Sequence, residues 1–413
     1  MNNYINLGTK LLNFQCYFIV FFYLFGPKIS LIDLSILIPF ALLLPITNFS
    51  TKYYKPILVT SAFIAVLLGY QAIVQIAHQV NEPEPLLRLI RATLVCVIGL
   101  MITCSPQFTQ KRLLSAIFYS LLLHALLINI AAVLDPLNEL LASVSGNDRW
   151  KPLRSSGLLA GFDIAGLLCI VGTLMLCLKI YKPRYFLLGF LYYVVFGVAA
   201  YFSSRISIAL FAIIVIPASI SGLLHSGLNF LIKLLIFGIG IILFSSLFYI
   251  YILPIIDVTF SLGLIVVSDS TYLEIVSRHA VQSDSQFLWS DMFFIPGGIS
   301  ETLFGIGVDA LYSDVGYIKD IFRYGIVGAL FSYIIYYNIF KVSVRGAKRG
   351  NMQNYVLFLA FIFGLTFLLS LKNSYFFTRA LFPLTILLMC LPGVRSRVFT
   401  NTWNTAKLAQ INT

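Results

Sequence analysis

The sequence RLLSAIFYSLLLHALLINIAAVL, residues 112–134, contains 23 residues, and its only charged side chain is the arginine at its start. An α-helix needs about 20 mostly apolar residues to cross the hydrocarbon core of a bilayer. The segment must be helical, because every backbone amide in hydrocarbon has to be hydrogen-bonded within the segment. This stretch therefore predicts a transmembrane helix.

The same pattern recurs along all 413 residues. Hydrophobic residues make up 59% of the chain and charged residues 11%, whereas charged residues reach about 25% in soluble globular domains. We therefore predict an all-α polytopic membrane protein whose single transmembrane domain spans residues 1–413. Because the first two spans are short, eleven or thirteen spans remain alternatives to the twelve that we predict, which are residues 11–26, 29–46, 57–77, 88–104, 112–134, 157–178, 185–202, 206–224, 229–253, 325–341, 355–371 and 379–393.

The charges divide between alternate loops. If the N-terminus is cytoplasmic, the predicted inside segments hold 16 of the 28 basic residues and none of the 16 acidic residues. An excess of Lys and Arg is typical of cytoplasmic loops. We therefore predict that both termini are cytoplasmic. The net charge of +12 then reflects anchoring to the cytoplasmic leaflet and not binding to nucleic acid. The first apolar run has no small-residue cleavage site, so we expect an uncleaved span.

Residues 254–324 form the only long stretch without a clear span and hold nine of the 16 acidic residues. We predict one large extracytoplasmic loop with short helices here, between spans nine and ten. Thr271 and Glu274 have the spacing of a capping box, which predicts a helix carrying Arg278 and His279. In so apolar a chain, a long polar loop is the expected place for function.

Cations that are far apart in sequence fall at one predicted membrane level on the outer side. Arginine offers planar, forked donors that suit phosphate oxygens, so we interpret the set as a pyrophosphate clamp. The alternative is that each side chain extends independently to lipid headgroups. The candidate residues are Arg154, Arg205, Arg278, Arg323, Lys372 and Arg379.

Other polar residues have simpler interpretations. Arg88 and Arg91 begin the fourth span from outside, where we expect them to extend to headgroups. Asp163 is predicted about two turns inside the sixth span, facing either a polar cavity or the wet interface. The six cysteines fall within apolar spans and the four histidines are scattered, so we predict no metal site.

Several short motifs resemble those of a known family. They are Arg154-Ser-Ser-Gly157 opening a span, Ser203-Ser-Arg205, Phe304-Gly-Ile-Gly307, Asp314-Val-Gly-Tyr317, Arg323-Tyr-Gly-Ile-Val-Gly328 and the late Leu371-Lys-Asn-Ser-Tyr-Phe-Phe-Thr-Arg379. With the large late loop, this pattern resembles the bacterial O-antigen and capsule polysaccharide polymerases of the Wzy type, which share a superfamily with the O-antigen ligases. Where many relatives have Gly-x-x-x-Pro-Asn after the first motif, this chain has Gly157 to Asp163 without the Pro-Asn pair.

The resemblance implies a GT-C-like glycosyltransferase of the inner membrane that acts on its periplasmic side. Such an enzyme joins oligosaccharide repeats linked to undecaprenyl diphosphate. The protein partners that the resemblance implies are a flippase and a chain-length regulator. The donor is already activated, so we expect no cofactor. Under this interpretation the outer cations bind diphosphate or sugar, Tyr317 contacts a sugar, and His279 or Asp314 is the base for the acceptor hydroxyl.

Two other functions remain open at this stage. An O-antigen ligase would transfer finished polymer to lipid A core. A transporter or flippase for lipid-linked glycan is the alternative from another class, because twelve spans with both ends inside is also a common carrier topology. The absence of a repeat between the halves and the outer position of the long loop argue against the carrier.

Overall fold

Helices make up most of the described structure. The computed structural model describes residues 2–29, 32–47, 55–146, 154–215, 295–308, 315–370, 374–392 and 394. These residues all belong to the same structural unit, residues 1–215 and 295–413. Most of the predicted 254–324 loop lies outside the described residues, so its placement stays a prediction.

The described part of the chain contains thirteen α-helices and one β-hairpin, each strand of which has two residues. A 3-10 turn, Leu44–Ile46, extends α2, and a π-helix, Phe211–Val215, extends α9. The elements are α1 (Asn2–Phe25), β1 (Lys28–Ile29), β2 (Ile32–Asp33), α2 (Leu34–Leu43), α3 (Lys55–Ala77), α4 (Glu84–Cys104), α5 (Gln110–Val133), α6 (Asp135–Ser145), α7 (Phe162–Cys177), α8 (Phe186–Ser203), α9 (Arg205–Leu210), α10 (Ile299–Phe304), α11 (Gly316–Arg349), α12 (Gln353–Leu369) and α13 (Leu381–Pro392).

Length and hydropathy indicate a multi-pass membrane protein. Within the described residues, α3, α4, α5 and α11 are each long and apolar enough to cross a membrane. Six shorter apolar helices accompany them. Helices therefore occupy the positions of ten of the twelve predicted spans. Only the first ten residues of the predicted eighth span are described, and the ninth lies outside the described residues.

The prediction for the start of the sixth span is wrong. We expected the helix to begin at Gly157, but α7 begins at Phe162. Gly157 has a left-handed φ of +60°, and Gly161 is extended, so the backbone between them forms turns before the helix starts. Asp163 therefore lies in the first turn of α7 and not two turns inside the span.

The short helix α6 was not predicted. Asp135 lies in its first turn, a proline lies at its N-terminus, and Gly146 ends it with a left-handed φ of +71°. An acidic residue and proline at the start and a left-handed glycine at the end are ordinary helix boundary signals. Eleven residues are too few to cross a bilayer, so α6 follows α5 as a separate short element.

Three turns that contain or adjoin basic residues meet at one end of the bundle. The Gln110 side-chain amide lies 3.5 Å from the Met352 sulfur, and the Asn354 side-chain amide donates to the Leu178 carbonyl at 3.0 Å. We call this the basic end, defined by the turns around residues 105–110, 178–185 and 350–353. The contacts described below bring together four other parts of the structure, which are the hairpin, the start of α4, the start of α11 and residues 374–380. We call that place the polar end.

Candidate anion-binding site

One aspartate at the polar end holds two arginines from distant parts of the chain. The Oδ2 atom of Asp33 lies 2.8 Å from Nε of Arg91 and 3.0 Å from Nη2 of Arg379. The three side chains are largely enclosed, with exposures of 16%, 15% and 22% respectively. We call Asp33, Arg91 and Arg379 the first cluster. Asp33 and Arg379 are 346 positions apart, so the cluster connects an N-terminal segment of the chain with a C-terminal one.

The start of α2 fixes Asp33 in place. Asp33 is the N-cap of that helix, and its Oδ1 atom accepts hydrogen bonds from the Ser35 backbone N–H at 3.1 Å and the Ser35 hydroxyl at 2.6 Å. Arg91 also donates to the Ser35 hydroxyl at 3.1 Å. Asp and Ser are favoured at helix N-termini because their oxygens satisfy backbone N–H groups that have no partner within the helix.

The first cluster keeps the Asp33 carboxyl ionised. Burial raises its pKa, but Arg91, the Ser35 hydrogen bonds and Arg379 together outweigh burial. The net result is that the Asp33 pKa lies below its ordinary value. At neutral pH the cluster therefore contains one carboxylate and two guanidinium groups, and its formal charge is +1.

A second aspartate, Asp320, lies in the first part of α11. Its side chain is buried, its Oδ1 atom accepts a hydrogen bond from Ser374 at 2.7 Å, and Nη1 of Arg323 lies 3.6 Å from the same oxygen. The Tyr333 hydroxyl donates to Oδ2 at 3.5 Å. We call Asp320, Arg323 and Ser374 the second cluster. A buried carboxylate needs such partners because an isolated charge away from water is costly.

Two chain segments connect the clusters. Residues 374–379 place Ser374 in the second cluster and Arg379 in the first. On α4, Arg88 acts electrostatically on Asp320 while Arg91 pairs with Asp33. Arg88 is also 3.5 Å from Glu84, whose side chain is 73% exposed and therefore contributes little. Residues three apart lie on the same face of a helix, so α4 directs both arginines to this site.

A break in α11 determines where the second cluster lies. Gly325 has φ of 64° and ψ of 179° within a 34-residue helix, a conformation that is essentially restricted to glycine. The backbone N–H groups of Ile306 and Gly307 donate to the Phe322 carbonyl at 2.8 and 3.1 Å. The Tyr70 hydroxyl donates to the Phe304 and Tyr324 carbonyls at 2.8 and 3.1 Å. The motifs 304–307 and 323–328 therefore form one backbone unit.

Glycine is required where these two motifs touch. A Cβ atom on Gly325 would lie 2.3 Å from the Leu303 carbonyl oxygen, and one on Gly305 would lie 2.5 Å from the Gly325 nitrogen. Glycine is also required in the motif Arg154-Ser-Ser-Gly157, because a Cβ on Gly157 would lie 2.7 Å from Nε2 of His124. Gly305 and Gly325 therefore permit a close backbone contact, and Gly157 permits a close contact with the His124 side chain.

Two predicted site residues, Arg323 and Arg379, lie in the clusters. Tyr317 adjoins the second cluster, because its ring packs against Tyr333 with centroids 5.8 Å apart, and its hydroxyl donates to the Phe367 carbonyl. Arg154 lies over the Phe162 ring, 5.6 Å from its centroid. In the described part of the structure, no side-chain contact joins Arg154 to either cluster.

The other predicted site residues remain predictions. Arg205 is the first residue of α9, whose N-terminus is capped by the Ser204 hydroxyl, but its side chain is not among those described. Four of the predicted residues lie outside the described residues altogether: Arg278, His279, Asp314 and Lys372.

Sequence reasoning missed Asp33, Arg91 and Asp320 as site residues. The expectation that Arg91 extends to headgroups is wrong, because its side chain is 15% exposed and pairs with Asp33. Local signals did exist for two of the three. Asp33 precedes Ser35 in a helix-capping pattern, and Asp320 and Arg323 have the i,i+3 spacing of a helical ion pair. No local signal connects Asp33 to Arg91.

The site has the chemistry of an anion-binding surface. The two clusters contain three arginines and two enclosed aspartates, Asp33 and Asp320, so guanidinium groups outnumber carboxyl groups. Guanidinium groups bind carboxylate and phosphate oxygens through paired N–H donors. No family model, curated protein or solved structure matches this chain.

Proposed function

We propose that this chain is a polysaccharide polymerase that transfers oligosaccharide repeats from undecaprenyl diphosphate to a growing glycan. The observation that carries the proposal is the excess of arginine over aspartate in two adjoining clusters at the polar end. At neutral pH the diphosphate diester of a lipid-linked sugar has two negative charges, one on each phosphate. The excess of guanidinium groups over carboxyl groups in the clusters complements the negative charge of the diphosphate.

The charge distribution supports a periplasmic position for the polar end. The basic end contains Lys111, Lys182 and Lys348 near turns that meet in the structure. Cytoplasmic loops carry such an excess of Lys and Arg. On this assignment the polar end opens where lipid-linked repeats are polymerised, and the protein is a twelve-span inner-membrane enzyme of the GT-C type with both termini in the cytosol.

The reaction needs no energy source besides the donor. The acceptor hydroxyl oxygen attacks the anomeric carbon of the donor sugar, the bond from that carbon to the diphosphate oxygen breaks, and the lipid diphosphate leaves. The hydroxyl proton passes to a base, for which His279 and Asp314 are the candidates. Arginine side chains stabilise the negative charge that develops on the leaving diphosphate.

Surface glycan from a strain that lacks this gene tests the proposal. A polymerase predicts that the strain displays single repeats in place of long chains, and that the normal length distribution returns when the gene is restored. Free lipid-linked polymer that never reaches lipid A core would indicate a ligase instead. Glycan of unchanged length and attachment would contradict both functions.

A further inference from the structure

The first cluster has more positive charge than its internal partner can neutralise. Arg91 and Arg379 both contact the same oxygen of Asp33, so the two guanidinium groups are necessarily close neighbours. Like charges repel, and the repulsion is strongest where side chains are shielded from water. Since the three side chains are at most 22% exposed, a further anion beside the arginines would stabilise the cluster.

The two arginines also retain hydrogen-bond donors. A guanidinium group has five N–H donors. Among the contacts of the described residues, Arg91 uses Nε toward Asp33 and Nη2 toward Ser35, and Arg379 uses Nη2 toward Asp33. The remaining N–H groups of the two side chains have no protein acceptor among the described residues. Paired N–H groups on neighbouring guanidiniums match the oxygens of a phosphate group.

The scaffold around Asp33 is fixed. The hairpin pairs Lys28 with Asp33, and the Leu34 N–H donates to the Pro27 carbonyl at 3.0 Å. Gly26 packs so closely that a Cβ atom there would lie 2.5 Å from the Ser35 nitrogen. Asp33 therefore holds both arginines from a rigid position, as a site that recognises one anion requires.

We propose that Arg91 and Arg379 jointly bind one phosphate of the lipid diphosphate, and that Asp33 is a positioning residue that acts as a built-in counter-anion. This inference rests on the proposed function and adds Arg91 and Asp33 to the substrate site. Asp33 orients the two guanidinium groups and neutralises one of their two charges. It thereby limits how tightly the leaving lipid diphosphate is held, so that product can dissociate.

The two residues should therefore have opposite effects on binding. Arg91→Gln removes a donor and a positive charge, and we expect it to weaken binding of undecaprenyl diphosphate roughly tenfold. Asp33→Asn removes the competing negative charge, and we expect it to tighten binding roughly threefold. Asparagine caps helices as well as aspartate does, so this variant retains the start of α2. Tighter binding of product should lower kcat and KM together.

The experiment measures binding of undecaprenyl diphosphate to purified full-length protein in detergent micelles by native mass spectrometry. Undecaprenol, which has no phosphate, and phosphatidylglycerol serve as comparison ligands. Arg345→Gln changes an exposed arginine of α11 near the basic end, so it is a matched control that should bind like wild type. Thermal unfolding of each variant checks the fold, and Arg91→Lys tests the loss of forked geometry with charge retained.

Opposite shifts for Arg91→Gln and Asp33→Asn, with Arg91→Lys intermediate, would support the inference, since mere loss of structure cannot tighten binding. If wild type binds undecaprenyl diphosphate and folded Arg91 and Asp33 variants bind it equally well, the inference is overturned while the proposed function stands. Equal binding of phosphatidylglycerol with the same dependence on Arg91 would make this a general lipid-headgroup site and overturn it too. If wild type fails to bind undecaprenyl diphosphate, the proposed function fails as well.

Discussion

Replacing Gly325 with alanine tests whether the break in α11 requires glycine. The backbone there has φ of 64° and ψ of 179°, a region in which a residue with a Cβ atom costs about 1–3 kcal/mol. The new Cβ would also lie 2.3 Å from the Leu303 carbonyl oxygen and 2.4 Å from the Gly305 nitrogen. Relieving such a clash costs about 1–3 kcal/mol more, because backbone must move.

We therefore expect Gly325→Ala to lower the free energy of unfolding by about 2–6 kcal/mol, a large part of the roughly 5–15 kcal/mol typical of folded proteins. Unfolding of the purified protein by denaturant in mixed micelles measures this change. Gly364→Ala is the matched control, since it lies in α12 and a Cβ there meets nothing within 4 Å. The control should be unchanged or gain up to about 1 kcal/mol. Wild-type stability in Gly325→Ala would refute this account of the break.

The remaining predictions concern topology, the arginines and the base. Ser285→Cys should react with a membrane-impermeant thiol reagent in cells whose inner membrane is intact; reaction only after that membrane is broken would reverse the topology and exclude the function. Arg205→Ala and Arg323→Ala should abolish chain extension at normal protein levels, with lysine replacements partly active because lysine lacks the forked geometry; normal glycan length in both alanine variants would remove them from the clamp. His279→Gln should cut turnover about 10²–10⁴-fold, as loss of a general base does, with donor binding nearly unchanged; a wild-type rate there together with a failing Asp314→Asn would assign the base to Asp314.

Hydropathy predicted the helices because the membrane imposes one strong requirement on sequence. Each spanning segment must be apolar and long enough to satisfy its own backbone. That requirement is local, and ten predicted spans accordingly correspond to helices. The start of α7 was missed because Gly157 and Gly161 are compatible with an apolar run yet hold a non-helical backbone.

The lateral arrangement of the helices could not be predicted in the same way. Arg379 was identified as a candidate by its residue type and predicted membrane level. Its partner Asp33 is 346 positions away, and an apolar pattern contains no information on which helices are neighbours. The partner of Arg91 could not be predicted either, because an arginine at the start of a span can extend to headgroups or form an ion pair.

The break in α11 could be predicted only in part. Gly305 and Gly325 were both visible in the sequence as motif glycines. That the two glycines face each other depends on α10 packing against α11. A positive φ at Gly325 can be suspected from glycine alone, but the carbonyl contacts that require it come from a distant segment.

Polymerisation by the purified protein from undecaprenyl-diphosphate-linked repeats tests the central claim most directly. The reaction contains only enzyme, detergent or lipid, and donor, and its products are resolved by length. The account predicts a ladder of glycans longer than one repeat, released undecaprenyl diphosphate in proportion to the linkages formed, and loss of both in Arg379→Gln. Wild-type protein that is folded, binds the donor and yet produces no chain longer than one repeat would contradict it.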